Sequence, residues 1–247
     1  MFVLYERPPA WGLPSVCTSC TEVEAYLRLA KADFAVEHCN GPQKSPSGSL
    51  PAVEDSDEVA ECAAGSSETR AAAQMISFIK KKGVDLDAHL SAAEKADVLA
   101  FTTMVQSTLV QATMHSTWAT YSSYNAHTRI AFGSVLPFPV SYIEPYLKYR
   151  SESAALAGVT AEEVVDKCAA AYGALAARLG RNKFILGSRP CSLDALLFSH
   201  LRYHMLAPVM PGALHEALAK HPRLKAYADG IAEEFFQAAA APPPEDW

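Results

Sequence analysis

The chain has 247 residues, 50% hydrophobic and 19% charged, with 16 prolines and 12 glycines, the composition of a folded soluble protein with room for one or two domains. Its formal net charge of -6 leaves no surplus of cations for sequence-independent attraction to phosphate, which sets nucleic acid aside as a partner.

Residues 2–5 (FVLY) and 34–38 (FAVEH) read as strands on either side of a segment in which Val23, Leu27 and Ala30 recur at helical spacing, a β-α-β unit. Pro46, Gly48 and Pro51 punctuate the next stretch. Ala52-Val53 and Val59-Ala60 then flank the polar run 54–58, which predicts a hairpin with its turn there. The next helix ends in Lys80-Lys81-Lys82-Gly83, with cations in its last turn and glycine as its stop. This order is that of a thioredoxin-like unit over residues 1–83.

From there the pattern is helical. Ser91 with Glu94 forms a capping box that opens a long helix to about Trp118, and Thr160 with Glu163 opens another that stops at Gly180. Residues 192–206 and 223–237 read as further helices, while Pro137, Pro139 and Pro145 predict a loop over residues 133–146. The fold class is therefore α+β: an N-terminal thioredoxin-like domain, an all-α domain over 84–237 and a Pro-rich tail over 238–247.

Six cysteines, Cys17, Cys20, Cys39, Cys62, Cys168 and Cys191, are too sparse for a secreted disulfide scaffold and point to a reducing compartment. The opening MFVLYERPPAW reads as mature protein rather than a targeting peptide. No apolar run reaches the roughly 20 residues that span a bilayer, and no lipidation motif is apparent, so membrane association is expected to run through a partner.

Candidate chemistry gathers at Gly12-Leu13-Pro14-Ser15-Val16-Cys17-Thr18-Ser19-Cys20. A hydroxyl or thiol at the start of the first helix meets free N–H groups and the helix dipole, so Ser15 is a candidate for holding a substrate thiolate. Cys17 and Cys20 have dithiol-exchange spacing. However, Pro14 and Ser15 are expected to start the helix and push Cys17 inward, which favours two inert thiols. His200 and His204, four apart, have the spacing of a zinc pair but no third ligand, so no metal is expected. Lys80, Lys81 and Lys82 can touch anionic lipid or simply be solvated. Trp11, Leu136, Phe138 and Tyr142 are apolar residues in loops, where burial must come from docking on another part of the chain or on a partner. Pro137 and Pro139 stiffen that loop and lower the entropy cost of docking.

The segments Trp11-Gly-Leu-Pro-Ser15, Ser45-Pro-Ser-Gly-Ser-Leu-Pro-Ala-Val53, Leu136-Pro-Phe-Pro-Val140 and Lys183-Phe-Ile-Leu-Gly187 followed by Ser192-Leu-Asp-Ala195 resemble metaxins, in one register from about residue 2 to about residue 225. Metaxins are glutathione-transferase-like proteins of the mitochondrial outer membrane. The resemblance implies a glutathione-transferase-like architecture with a cis-proline at Pro51. It also implies a helix start supported by Asp194, capped either by Cys191, where transferases keep Ser or Thr, or by Ser192. Functionally it implies a non-enzymatic adaptor without cofactor, peripheral on the cytosolic face of the mitochondrial outer membrane. That adaptor would serve import and β-barrel sorting and assembly with a barrel-assembly subunit and a second metaxin-like chain. Some metaxins carry a C-terminal anchor; this chain ends at Asp246-Trp247 without one, so a partner is expected to hold it. In transferases a compact polar pair after the hairpin grips the glutamyl end of glutathione. Here that pair is replaced by the longer run Glu61–Arg70, in which Glu61-Cys62 or Ser67-Glu68 can imitate it. Two other readings compete: an active glutathione-dependent transferase or peroxidase using Ser15, Cys17 and Cys20, and a structural subunit of another mitochondrial membrane assembly.

Overall fold

The computed structural model describes residues 1–56, 58–60, 67–134 and 136–236, so Glu61, Cys62 and the tail over 238–247 lie outside the described residues. β1 (Phe2–Glu6) runs parallel to β2 (Phe34–His38) and antiparallel to β3 (Ala52–Asp55), which pairs antiparallel with β4 (Glu58–Val59), giving the order β2-β1-β3-β4. The parallel pair requires a crossover, and α1 (Thr18–Leu29) supplies it. Along β1, Phe2, Leu4 and Glu6 point inward; Phe2 and Leu4 join Val23 and Leu27 of α1 in the core. Tyr5 on the opposite face packs on Cys39 and Leu50.

The hairpin is tighter than expected. Glu54 pairs with Val59 and Asp55 with Glu58, so these acids are strand residues rather than turn residues. α2 (Glu68–Lys81) is capped by Ser67, whose Oγ accepts from the Arg70 N–H at 3.3 Å, and it buries Ala71, Ala72, Met75, Ile76 and Ile79. The Leu50-Pro51 and Phe138-Pro139 bonds are cis.

The helical part begins with α3 (Ala92–Val105), opened by the expected box: Glu94 N–H donates to Ser91 Oγ and Ser91 N–H to Glu94 Oε2. α3 passes through a π turn (Gln106–Val110) into α4 (Gln111–Trp118), so the stretch to Trp118 is continuously helical. α5 (Tyr121–Ser123) and α6 (Arg129–Gly133), joined by a second π turn, lead to α7 (Val140–Ala155). α8 (Ala161–Leu179), α9 (Ser192–Leu206), α10 (Gly212–Ala219) and α11 (Pro222–Phe235) complete the body. α1 packs on α9, and one hydrophobic core runs without a break from Leu4 and Tyr26 to Leu197, Leu201 and Leu224.

α7 corrects the expected loop over 133–146: helix resumes at Val140 with Pro145 inside it. A proline there cannot donate to the carbonyl four residues back, so Ser141 O lacks its helical partner. A Cβ built on Gly133 would lie 2.4 Å from that oxygen. Glycine at 133 leaves the space into which the displaced carbonyl fits.

Candidate functional site

α1 starts at Thr18, three residues later than the sequence suggested, with Cys17 as its N-cap in an extended conformation. Pro14 and Ser15 therefore do not start the helix, and Cys17 is not pushed into it. Ser15 is buried. Its Oγ donates to Arg7 O at 2.7 Å and accepts from Cys17 N–H at 3.2 Å. The single hydroxyl proton is thus spent on the chain's own backbone, where it fixes the β1–α1 loop.

Cys17, 2% exposed, directs its thiol to Glu68 Oε2 at 3.5 Å. Cys20 lies one helical turn on and is fully buried; Cys17, Cys20, Cys39 and Leu50 form one cluster against Tyr5. Burial pushes the Cys20 thiol well above its ordinary range, assisted by its neighbours Cys17 and Glu6.

Ser67 and Glu68, one of the two pairs proposed for a glutamyl group, are committed elsewhere. Ser67 caps α2, and the Glu68 carboxylate receives Lys148 of α7 as well as Cys17, with Arg7 Nε 4.0 Å away. Arg7 also reaches Glu144 at 3.7 Å, and Lys148 lies over the Trp118 and Phe132 rings at 5.0 and 5.4 Å. Burial pushes the Glu68 carboxyl up, but Lys148, Arg7 and the hydrogen bonds from Lys148 and Cys17 outweigh it and hold the group below its usual value. Four charges, two from the α/β part and two from α7, neutralise one another around Glu68.

The four apolar residues expected in loops separate. Trp11 packs edge-on to Tyr203 of α9 at 5.8 Å, a contact between the two parts of the chain. Leu136 is half-buried. Phe138 is 84% exposed, and Tyr142 lies not in a loop but on α7, whose Ile143, Tyr146 and Leu147 are exposed with it. Spacings of three to four residues place them on one helix face. Sequence reading missed Ile143, Tyr146 and Leu147 because Pro145 argued against a helix.

Three further positions are structural. His200 and His204 are fully buried and share Thr113 of α4: Thr113 Oγ1 is 2.8 Å from His200 Nδ1 and 2.9 Å from His204 Nε2, and Tyr172 OH is 2.7 Å from His204 Nδ1. Burial pulls both imidazoles down to about 3, so they are neutral core groups; among the described residues no cluster of metal-binding type occurs. At α9, Cys191 is the N-cap residue, and Ser192 instead binds Asp87 through its N–H and Oγ at 2.8 and 2.7 Å, which corrects the alternative of Ser192 as the cap. Asp194 accepts from Ile185 N–H, Cys191 N–H and Tyr227 OH at 2.7–2.8 Å, tying three segments to the start of α9. Of the three lysines ending α2, Lys80 pairs with Asp87 and Lys82 with Glu58.

A cavity of about 760 Å³ opens elsewhere, between the β1–α1 loop, α1, β2 and the ends of α9 and α11. Trp11, Leu13, Phe198 and Phe236 form apolar walls, and Glu6, Glu24, Arg28 and Arg202 add charge; Ser15, Cys17, Pro51 and Glu68 do not line it.

The family described as "Outer mitochondrial membrane transport complex protein" (Tom37) matches residues 20–149, more than half of the chain, and Metaxin-1 of Bos taurus is 31% identical over 95% of this chain and 75% of its own length. The chain belongs to the metaxin family. Metaxin-1 of Mus musculus (30% identity, 92% of this chain, 72% of the relative) and Metaxin-3 of Danio rerio (27%, 94% and 74%) agree. The glutathione S-transferase C-terminal domain family matches residues 168–231 of this metaxin. Among solved structures, a glutathione S-transferase of Ceriporiopsis subvermispora in complex with glutathione covers 98% of the chain and 99% of its own with a TM-score of 0.62 at 14% identity. Glutathione S-transferase III in apo form covers 98% and 99%, with a TM-score of 0.54 at 20% identity. At such identities the likeness speaks for the fold: this metaxin has a glutathione-transferase-like fold, a small four-stranded sheet joined to a helical body.

Proposed function

We propose that this metaxin is a non-enzymatic adaptor of mitochondrial outer-membrane import and β-barrel sorting and assembly. In this reading it sits on the cytosolic face, held peripherally by a barrel-assembly subunit and a second metaxin-like chain. The observation that carries the proposal is the face of α7: Phe138, Tyr142, Ile143, Tyr146 and Leu147 expose contiguous apolar surface of the kind soluble proteins reserve for partners. Tyrosine and phenylalanine are also the residue types that anchor interfaces. The family description, an outer mitochondrial membrane transport complex protein, supports membership in such a complex. Two facts support the non-enzymatic part: the Ser15 proton is bound to Arg7 O, and Glu68 is occupied by Lys148 and Arg7. Among the described residues no helix is long and apolar enough to cross a membrane, which suits attachment through partners.

The test is affinity purification from mitochondria with mass spectrometry, comparing the parent chain with a Tyr142→Ser/Leu147→Ser variant. The barrel-assembly subunit should co-purify with the parent and fall by about tenfold or more in the variant, the loss of two interface anchors, while the melting temperature stays unchanged. Recovery of respiratory or ribosomal subunits without a barrel-assembly protein would move the chain to another mitochondrial assembly. Turnover of glutathione with a generic electrophile, abolished by Ser15→Ala, would make it a transferase.

A further inference from the structure

The cluster at the start of α1 contains a pair that the adaptor role does not use. Cys17 and Cys20 occupy the N-cap and the third helical position. Residues three apart at a helix start have their Cβ atoms about 5–6 Å apart, and the two side chains share one buried cluster with Cys39 and Leu50. A disulfide needs the Cβ atoms about 1–2 Å nearer than that, so closure requires the N-cap side chain to swing from the Glu68 carboxylate, toward which the Cys17 thiol now points at 3.5 Å, to Cys20. Lys148 and Arg7 keep that carboxylate ionised. Cys20 has no exposed surface, the usual condition of the partner that reacts second.

We propose that Cys17 and Cys20 are an oxidisable dithiol that closes into a disulfide when the protein meets hydrogen peroxide. Accessibility selects the oxidant. A thiol 2% exposed behind Glu68 and Lys148 excludes bulky disulfides, so the oxidant has to be small. The Cys17 thiolate attacks one peroxide oxygen and the O–O bond breaks; the departing hydroxide takes up the proton Cys17 released, leaving one water and a sulfenic acid. The Cys20 sulfur then attacks Cys17 Sγ, the S–O bond breaks, and the hydroxide leaves with the Cys20 proton as a second water. Two thiols lose two electrons in total, and one peroxide is reduced to two waters. Among the described cysteines, Cys39, 6% exposed in the same cluster, is the competing sulfur, while Cys168 and Cys191 lie in the helical part.

The experiment treats the full chain with hydrogen peroxide, alkylates remaining thiols and maps peptides without reduction. The expected product is the segment holding Cys17 and Cys20, lighter by about two mass units and unalkylated at both positions, with Cys168 and Cys191 fully alkylated. Cys20→Ala should stop the reaction at a sulfenic acid on Cys17 that dimedone traps, and Cys39→Ala should still form the disulfide. The proposal is overturned if the parent remains alkylatable at both cysteines, if the disulfide joins Cys39, or if Cys20→Ala gives no trapped sulfenic acid at Cys17. Mapping of the parent involves no substitution, so misfolding of a variant cannot mask the answer.

Discussion

At the scale of single residues, the buried polar groups are settled by counting protons. Thr113 Oγ1 donates to Leu109 O at 3.0 Å, so its remaining capacity is acceptance. His200 Nδ1 and His204 Nε2 must then both carry hydrogen, and His204 Nδ1 accepts from Tyr172 OH. Thr113→Val keeps the shape and removes the shared acceptor, leaving two buried N–H groups unpaired. The expected loss is about 2–6 kcal/mol in urea unfolding, one to three per unpaired group. Glu22 gives a pH signature of defined sign. Burial pushes its carboxyl from 4.5 up to about 8, so the folded chain holds a proton that the unfolded chain releases. Its stabilising contribution is complete below about pH 4.5 and is lost as pH rises toward and through 8, with a slope of up to about 1.4 kcal/mol per pH unit. Glu22→Gln carries no such proton. The stability difference between variant and parent, measured by denaturant titration at successive pH values, should therefore grow in favour of the variant across that window; a difference independent of pH would refute the assignment.

At the scale of elements, α6 and α7 meet through a glycine that a proline makes necessary. Pro145 leaves Ser141 O without its helical donor, and that oxygen fills the space where a side chain at 133 would stand. Gly133→Ala is expected to destabilise the chain by about 1–3 kcal/mol, the usual range for overpacking. Adding Pro145→Ala, which restores an N–H to Ser141 O, should recover part of the loss in a double-mutant cycle; strict additivity would show the two positions to be independent. The same proline explains what the sequence left hidden. Strands, caps and the boxes at Ser91 and Thr160 are local signals, legible because a few neighbouring residues determine them. The helical state of 140–155 was not, since Pro145 is a strong local argument that tertiary packing overrides. In the candidate site the positions of Ser15, Cys17 and Cys20 beside the first helix were legible, whereas the start of that helix was displaced by three residues. The partners of Ser15 and Glu68 were not legible at all: Lys148 lies eighty residues from Glu68 in sequence and meets it only through the fold.

At the scale of the whole molecule, the charge cluster at Glu68 joins the α/β part to α7, the helix proposed to carry partners. Glu68 and Lys148 are 27% and 20% exposed, between a surface pair worth under about 1 kcal/mol and a fully buried one whose disruption costs about 3–5 kcal/mol. A cycle of Glu68→Gln, Lys148→Met and the double variant is therefore expected to give a coupling energy of about 1–2 kcal/mol in unfolding experiments. The sign with pH follows from the depressed Glu68 carboxyl: its contribution is present above the ordinary carboxylate value of 4.5 and is lost as pH falls through the lower, folded-state value. Acidification should thus shrink the coupling toward zero, and Glu68→Gln should lose its disadvantage against the parent in acid. Because Lys148 leans on the rings of Trp118 and Phe132, Lys148→Met retains most of that packing, so what the cycle reports is charge rather than volume. A coupling energy indistinguishable from zero at neutral pH would mean that this ion pair adds nothing to the union of the two parts, with α7 oriented by packing and by Arg7–Glu144 rather than by Lys148 on Glu68.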